Sequence, residues 1–265
     1  MAELERGDGG RLHYEVVGEA GRPVVVLLNG MTQTTANWKT QARGLSAAAR
    51  VVTYDARGQG KSDVGEEALT LELHARDLVN LLDHLGVERA SLVGFSHGSR
   101  VALAFANEAP ERLERLVLSA ATAEPTALAQ TIIRSWREIL RLGGLEAMSW
   151  ASLPNILGTR FLADNQPMLD GIVRASVQRN SQAGIERLLD AMIAYPSLKE
   201  LASGVRAPTL VLYGEADLLV DRAGAARLAE LTAGELESIP SVGHTIPIEA
   251  PEAFREAVWR FLRLG

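Results

Sequence analysis

The segment Val93-Gly94-Phe95-Ser96-His97-Gly98 sets one serine between two glycines. A serine hydroxyl is a weak nucleophile at its own pKa. It attacks a carbonyl only when a base lies within hydrogen-bond reach and a third group holds that base in the right tautomer. Five histidines are available as the base: His13, His74, His84, His97 and His244. Three carboxylates, Glu215, Asp217 and Asp221, follow the apolar run at 209–213 and are candidates for the third group. Such a set would perform acyl chemistry through a covalent serine intermediate. The chain has no cysteine, which excludes thiolate catalysis, disulfides and sulfur-ligated metals together. It shows no zinc-ligand or EF-hand spacing, and no GxGxxG follows the early strands, so neither a metal nor an organic cofactor is expected.

The elements that would carry these residues follow from hydrophobic patterning. Residues 11–17 alternate like an edge strand, and strand-length apolar runs recur at 23–28, 51–54, 90–94, 113–118, 209–213 and 236–239. Helical spacing appears near 38–49 and at 71–85, 100–108, 223–231 and 251–262. Continuous apolar strands alternating with helices predict an α/β fold with a mostly parallel sheet covered on both faces. From 125 to about 202 the strand pattern stops, and helical segments take its place at 128–142, 145–153, 168–180 and 184–195. An inserted helical lid accounts for the interruption. The expected division is a core of 1–122 and 206–265 with a cap of 123–205.

Within this arrangement Ser96 falls where a strand turns into a helix, in the pattern G-x-S-x-G. Such a turn needs minimal flanking side chains to bend sharply and expose the serine oxygen. Four further stretches accompany it: the strand 24–28 leading to Asn29-Gly30-Met31 with Trp38 downstream, the run Asp55-Ala56-Arg57-Gly58-Gln59-Gly60-Lys61-Ser62, the run Leu212-Tyr213-Gly214-Glu215-Ala216-Asp217, and Gly243-His244. In that set and order the chain resembles the α/β-hydrolase superfamily, in its serine-nucleophile branch, over essentially its whole length. The resemblance implies a triad of Ser96, Asp217 and His244, although Glu215 and Asp221 stay open as the acid from the residues alone. It also implies an oxyanion hole made by the backbone N–H groups of Met31 and His97. The commonest form of the superfamily has a histidine where this chain has Asn29, so the bonds bracing that loop must differ. A narrower likeness links Leu28-Asn29-Gly30-Met31 and Thr34-Thr35-Ala36 to the bacterial acyltransferases that join 3-hydroxyacyl units in rhamnolipid precursor synthesis.

The resemblance implies a carboxylesterase-like serine hydrolase that cleaves a carboxylic ester or thioester of a small, largely apolar substrate. Two alternatives are an acyltransferase that uses the same triad with an alcohol or hydroxyacyl acceptor, and an inactive small-molecule binding protein on the same fold. Haloalkane dehalogenases and epoxide hydrolases are disfavoured, because they need a carboxylate where this chain has Ser96. Cyanohydrin lyases, carbon–carbon bond hydrolases and perhydrolases use a serine elbow and stay open. The expected pocket lies between core loops and lid, walled by Asn29, Gly30, Phe95, Trp136, Trp150, Phe161 and Met192. Highly charged substrates are not expected, since Arg57 and Arg100, the nearest cations, have ready structural roles. With 27 Lys plus Arg against 33 Asp plus Glu and no dense basic run, nucleic acid is a poor partner. Without a signal-peptide core or a membrane-length apolar run, the protein is expected to be soluble and cytoplasmic, a monomer or homodimer.

Overall fold

Strand composition decides position in the sheet. The strands β1 (Ala2–Glu5), β2 (Arg11–Val17), β3 (Val24–Leu28), β4 (Arg50–Tyr54), β5 (Ala90–Phe95), β6 (Leu113–Ser119), β7 (Thr209–Gly214) and β8 (Glu235–Ile239) form one sheet in the order β1-β2-β4-β3-β5-β6-β7-β8. These come from a computed structural model that describes residues 2–264. The runs ASLVGF of β5 and TLVLYG of β7 are buried throughout, as strands covered on both faces must be. From β4 to β8 neighbouring strands are parallel, whereas β2 runs antiparallel to β4 and to β1.

Helices α1 (Lys39–Leu45) and α11 (Pro251–Leu262) cover one face, packing Trp38, Leu45, Phe254 and Val258 against Val25, Val93 and Leu212. On the other face α2 (Leu71–His84), α3 (His97–Glu108) and α9 (Arg222–Leu231) bury Leu78, Leu81, Phe105 and Leu228 against Val26, Leu92 and Val211. The helices start where capping chemistry allows: the Thr70 hydroxyl accepts from Leu73 N–H to open α2, and Asp221 accepts from Gly224 N–H to open α9. A short helix α10 (Ile246–Glu249) precedes α11.

Between β6 and β7 the chain leaves the sheet for α4 (Ala127–Ile156), α5 (Thr159–Asp164), α6 (Leu169–Arg179), α7 (Gln182–Ala194) and α8 (Lys199–Gly204). Helix α4 is kinked at Gly144, whose φ of 77° and ψ of −178° are not helical. The cap has its own core, in which Ile132, Ile133, Trp136 and Met148 of α4 meet Ile185, Leu188 and Met192 of α7. Among the described residues no helix is long and apolar enough to cross a membrane.

Two elements differ from the sequence expectation. Residues 11–17 are one strand in from the edge, because Ala2–Glu5 pairs outside them, from Ala2 with Tyr14 to Glu5 with Arg11. The charged segment MAELE gives little hydrophobic signal, yet alternation and a backbone ladder suffice for a four-residue edge strand. The helix expected at 38–49 is shorter, a 3₁₀ turn Thr35–Trp38 followed by α1.

Candidate active site

Open parallel sheets place reacting groups beyond the carboxyl ends of their strands, and the candidate residues collect there. Met31 follows β3, Ser96 follows β5, Asp217 follows β7 and His244 follows β8. Ser96 has φ 52° and ψ −112°, a conformation L-residues rarely adopt and one that costs about 1–3 kcal/mol. Ser96 N–H donates to Ser119 O at 2.8 Å, and Ser96 O accepts from Ser99 N–H at 3.0 Å. Both glycines of the turn are required by backbone crowding. A Cβ on Gly98 would lie 2.4 Å from Leu28 O, and one on Gly94 would lie 2.6 Å from the Ser99 backbone.

His244 joins the serine to the acid. Its Nε2 lies 2.9 Å from Ser96 Oγ and its Nδ1 lies 2.8 Å from Asp217 Oδ2. An ionised carboxylate only accepts, so Nδ1 carries the proton toward Asp217 and Nε2 is left to accept from the serine hydroxyl. The other Asp217 oxygen accepts from Leu219 N–H at 2.7 Å and Val220 N–H at 3.1 Å, which fixes the carboxylate in the loop. The competing acids have other work. Glu215 accepts from the Ser238 hydroxyl at the surface, and Asp221 caps α9. Phe95 packs against the imidazole, with ring centroids 5.4 Å apart.

The loop after β3 is braced by side chains. Asn29 donates to Tyr54 O at 2.9 Å and accepts from the Trp38 indole at 2.7 Å, and this is how the loop is held without a histidine at that position. Gln59 donates to Gly30 O at 2.7 Å, and Gln33 accepts from Gly30 N–H at 3.1 Å. Among the described residues Met31 N–H has no backbone or side-chain hydrogen-bond partner, and His97 N–H opens α3, where first-turn donors lack intrahelical acceptors. The His97 ring turns away from the cavity. It lies fully buried, 3.2 Å from the Tyr195 hydroxyl and edge-on to His74. Burial, with His74 and Arg100 adding to it, pushes the His97 pKa well below that of a free imidazole, so this ring is a neutral packing group.

A cavity of about 440 Å³ opens over Ser96 and His244. Its wall is largely apolar and takes in Met31, Phe95, Trp136, Met148, Leu153 and Met192. Four residues expected in that wall lie elsewhere. Asn29 and Gly30 sit beneath it as loop scaffold, since a Cβ on Gly30 would meet the Phe95 ring at 2.5 Å and Asn29 spends its amide on Tyr54 and Trp38. Trp150 points outward and is 39% exposed, and Phe161 packs into a second cap cluster with Leu153, Leu157 and Leu169. Helical periodicity shows that these aromatics are apolar faces but not which neighbour each face meets.

The sequence matches the family described as Serine aminopeptidase, S33, over residues 19–251. The chain belongs to this hydrolase family. Its fold and its serine nucleophile place it in the α/β-hydrolase superfamily. Among relatives of this S33 hydrolase, the 2-hydroxy-6-oxononadienedioate/2-hydroxy-6-oxononatrienedioate hydrolase of Paraburkholderia phymatum is 31% identical, with 98% of this chain and 93% of that one covered. The crystal structure of the enol-lactonase from Burkholderia xenovorans superposes with a TM-score of 0.90 at 27% identity, covering 99% of this chain and 100% of the other. A thermophilic esterase from Thermogutta terrifontis, solved with malate bound, gives 0.87 at 28% identity, covering 99% and 97%.

One supporting residue of the S33 hydrolase site was not legible in sequence. Glu249 accepts from the N–H groups of Gly158 (2.8 Å), Gly243 (2.9 Å) and Thr245 (3.0 Å) and from the Thr245 hydroxyl (2.8 Å), so it brackets His244 on both sides. The available signal was a carboxylate five residues after the base, which by itself points to nothing. The two flagged arginines also part company. Arg57 holds Asp77 at 2.5 Å and Asp8 at 2.6 Å, whereas the Arg100 side chain lines the cavity.

Proposed function

We propose that this hydrolase cleaves a carboxylic ester or thioester of a small, largely apolar substrate through an acyl-enzyme. The observation that carries the reading is the single imidazole within hydrogen-bond distance of both Ser96, at 2.9 Å, and Asp217, at 2.8 Å. His244 takes the Ser96 proton as Oγ attacks the carbonyl, and Asp217 stabilises the imidazolium that results. The oxyanion rests against the N–H groups of Met31 and His97, donors already oriented before the reaction begins. His244 then protonates the leaving group and draws a proton from the water that releases the acid. An esterase and an enol-lactonase among the similar structures support an ester-type bond as the target. The same reading holds the enzyme to be cytoplasmic and a monomer or homodimer, which fractionation and light scattering test.

The deciding experiment is an intact-mass time course with p-nitrophenyl acetate, butyrate and octanoate and an acyl thioester, comparing the native chain with Ser96→Ala. The expected result is a transient acyl mass and turnover on the native protein, with turnover reduced at least about 10⁴-fold in the variant. Absence of both on the native chain overturns the reading. Adding a small alcohol separates hydrolysis from transfer, because a transferase returns the new ester rather than the acid.

A further inference from the structure

The charges on the cavity wall are all of one sign. Among the described residues that line it, only Arg100 and Arg179 carry a formal charge at neutral pH, and no aspartate, glutamate or lysine joins them. The chain as a whole holds 33 acids against 27 lysines and arginines, so a wall without an acid is not what its composition would supply by default.

Arginines that serve the fold in this molecule have partners. Arg57 holds three carboxylates, Arg6 holds Asp8, Arg112 holds Asp83 and Arg137 holds Asp190. The Arg100 guanidinium, half-buried on α3, has no carboxylate within ion-pair distance and no hydrogen-bond acceptor among the described residues. Burial lowers its pKa, against a smaller opposing influence from Tyr195, and an arginine nevertheless stays protonated in a protein. A half-buried cation on the wall of the catalytic cavity, with no carboxylate of the fold to neutralise it, is left free to pair with an anion that enters. Arg100 stands on the first turn of α3, four residues after Ser96, and both residues line the same cavity.

We propose that Arg100 binds a carboxylate carried by the substrate, so that the preferred ester is a mostly apolar molecule bearing one anionic group. Arg179, exposed on the same wall, adds to the attraction for that anion. A guanidinium presents a planar fork that matches a carboxylate. This inference deepens the hydrolase reading and rests on it.

Matched substrates test it. Mono-p-nitrophenyl glutarate and p-nitrophenyl valerate share acyl length and leaving group and differ in a terminal carboxylate. The pair 4-acetoxybenzoate and phenyl acetate moves the carboxylate to the leaving-group side. The quantity read is the ratio of kcat/KM, anionic over neutral, in the native enzyme, Arg100→Lys and Arg100→Gln, so that intrinsic reactivity cancels. For at least one pair the ratio is expected to fall about tenfold to a hundredfold in R100Q, the worth of one charge-assisted pair, with R100K between. Ratios within twofold of native for both pairs overturn the proposal, and R100K carries the comparison if R100Q does not fold. Calorimetric titration of monomethyl glutarate, a monoanion at neutral pH, into S96A and into S96A with R100K needs no turnover. Binding weakened at least threefold by R100K supports the proposal even if no ester is cleaved, and equal binding in the two overturns it. Failure of the hydrolase reading shows separately, as the absence of any acyl adduct from the neutral esters.

Discussion

Glu249 comes five residues after His244 and touches no reacting atom, yet its carboxylate takes three backbone N–H groups around the base loop. Misplacing a base by a fraction of an ångström slows chemistry more than it weakens binding. Glu249→Ala is therefore expected to lower kcat about tenfold with KM within about twofold, and Glu249→Gln, which keeps one acceptor oxygen, to fall between. Steady-state kinetics on one ester decides this, and a change confined to KM would mean that His244 is held without it. The same scale shows what a sequence discloses. Ser96 announces itself because a strained turn needs Gly94 and Gly98 at fixed offsets, and their close backbone contacts give the physical reason. Asp217 is different, since Glu215 and Asp221 stand as near to it in the chain as a triad acid could. Only loop geometry, which sends the other two to Ser238 and to the start of α9, separates the three.

Between α2 and α3 the molecule buries an imidazole pair, His74 and His97, with ring centroids 5.1 Å apart. Burial, assisted by the charges of Arg57 and Arg6, lowers the His74 pKa to about 4 from 6.5. The sign follows from proton uptake. Above pH 6.5 the ring is neutral folded and unfolded, and no stability depends on it. As pH falls below 6.5 the unfolded chain binds a proton that the folded one refuses, so stability is lost progressively down to about pH 4. The full loss from His74 is on the order of 3 kcal/mol, and His97 acts in the same direction. Replacing His74 by Leu is expected to flatten the decline of Tm between pH 6.5 and pH 4.5, measured by thermal melts across that range. An unchanged slope would mean that the ring is reached by solvent when protonated. Periodicity alone located α2 and α3, because their leucines and alanines recur at helical spacing. It could not show that two histidines 23 residues apart would meet, since that depends on how the two helices pack against each other on one face of the sheet.

Across the whole molecule the cap is fastened to the core by polar contacts at several places. The Arg187 guanidinium donates to the successive carbonyls of Gly65, Glu66 and Glu67, Tyr195 donates to Leu69 O, and Asn180 bridges Gly60 and Thr32. Arg187→Ala is expected to speed hydrogen exchange in residues 65–69 and in α7 while leaving the sheet protected, and to raise KM a few-fold. Exchange unchanged in both segments would show that apolar packing alone seats the cap. The existence of this layer was legible, because β6 and β7 are strand-like and nothing between them is. Its seating was not, because a helix's apolar face does not say whether a tryptophan turns toward a cavity, as Trp136 does, or toward solvent, as Trp150 does. The seating also reaches the catalytic base, for the backbone N–H groups of His244 and Thr245 both donate to Ile156 O, at the last residue of α4. Cap and triad are thus poor candidates for separate inheritance. A cap transplanted from a relative to change selectivity has to bring an equivalent carbonyl to that spot, or the hybrid gains a new pocket and loses its base.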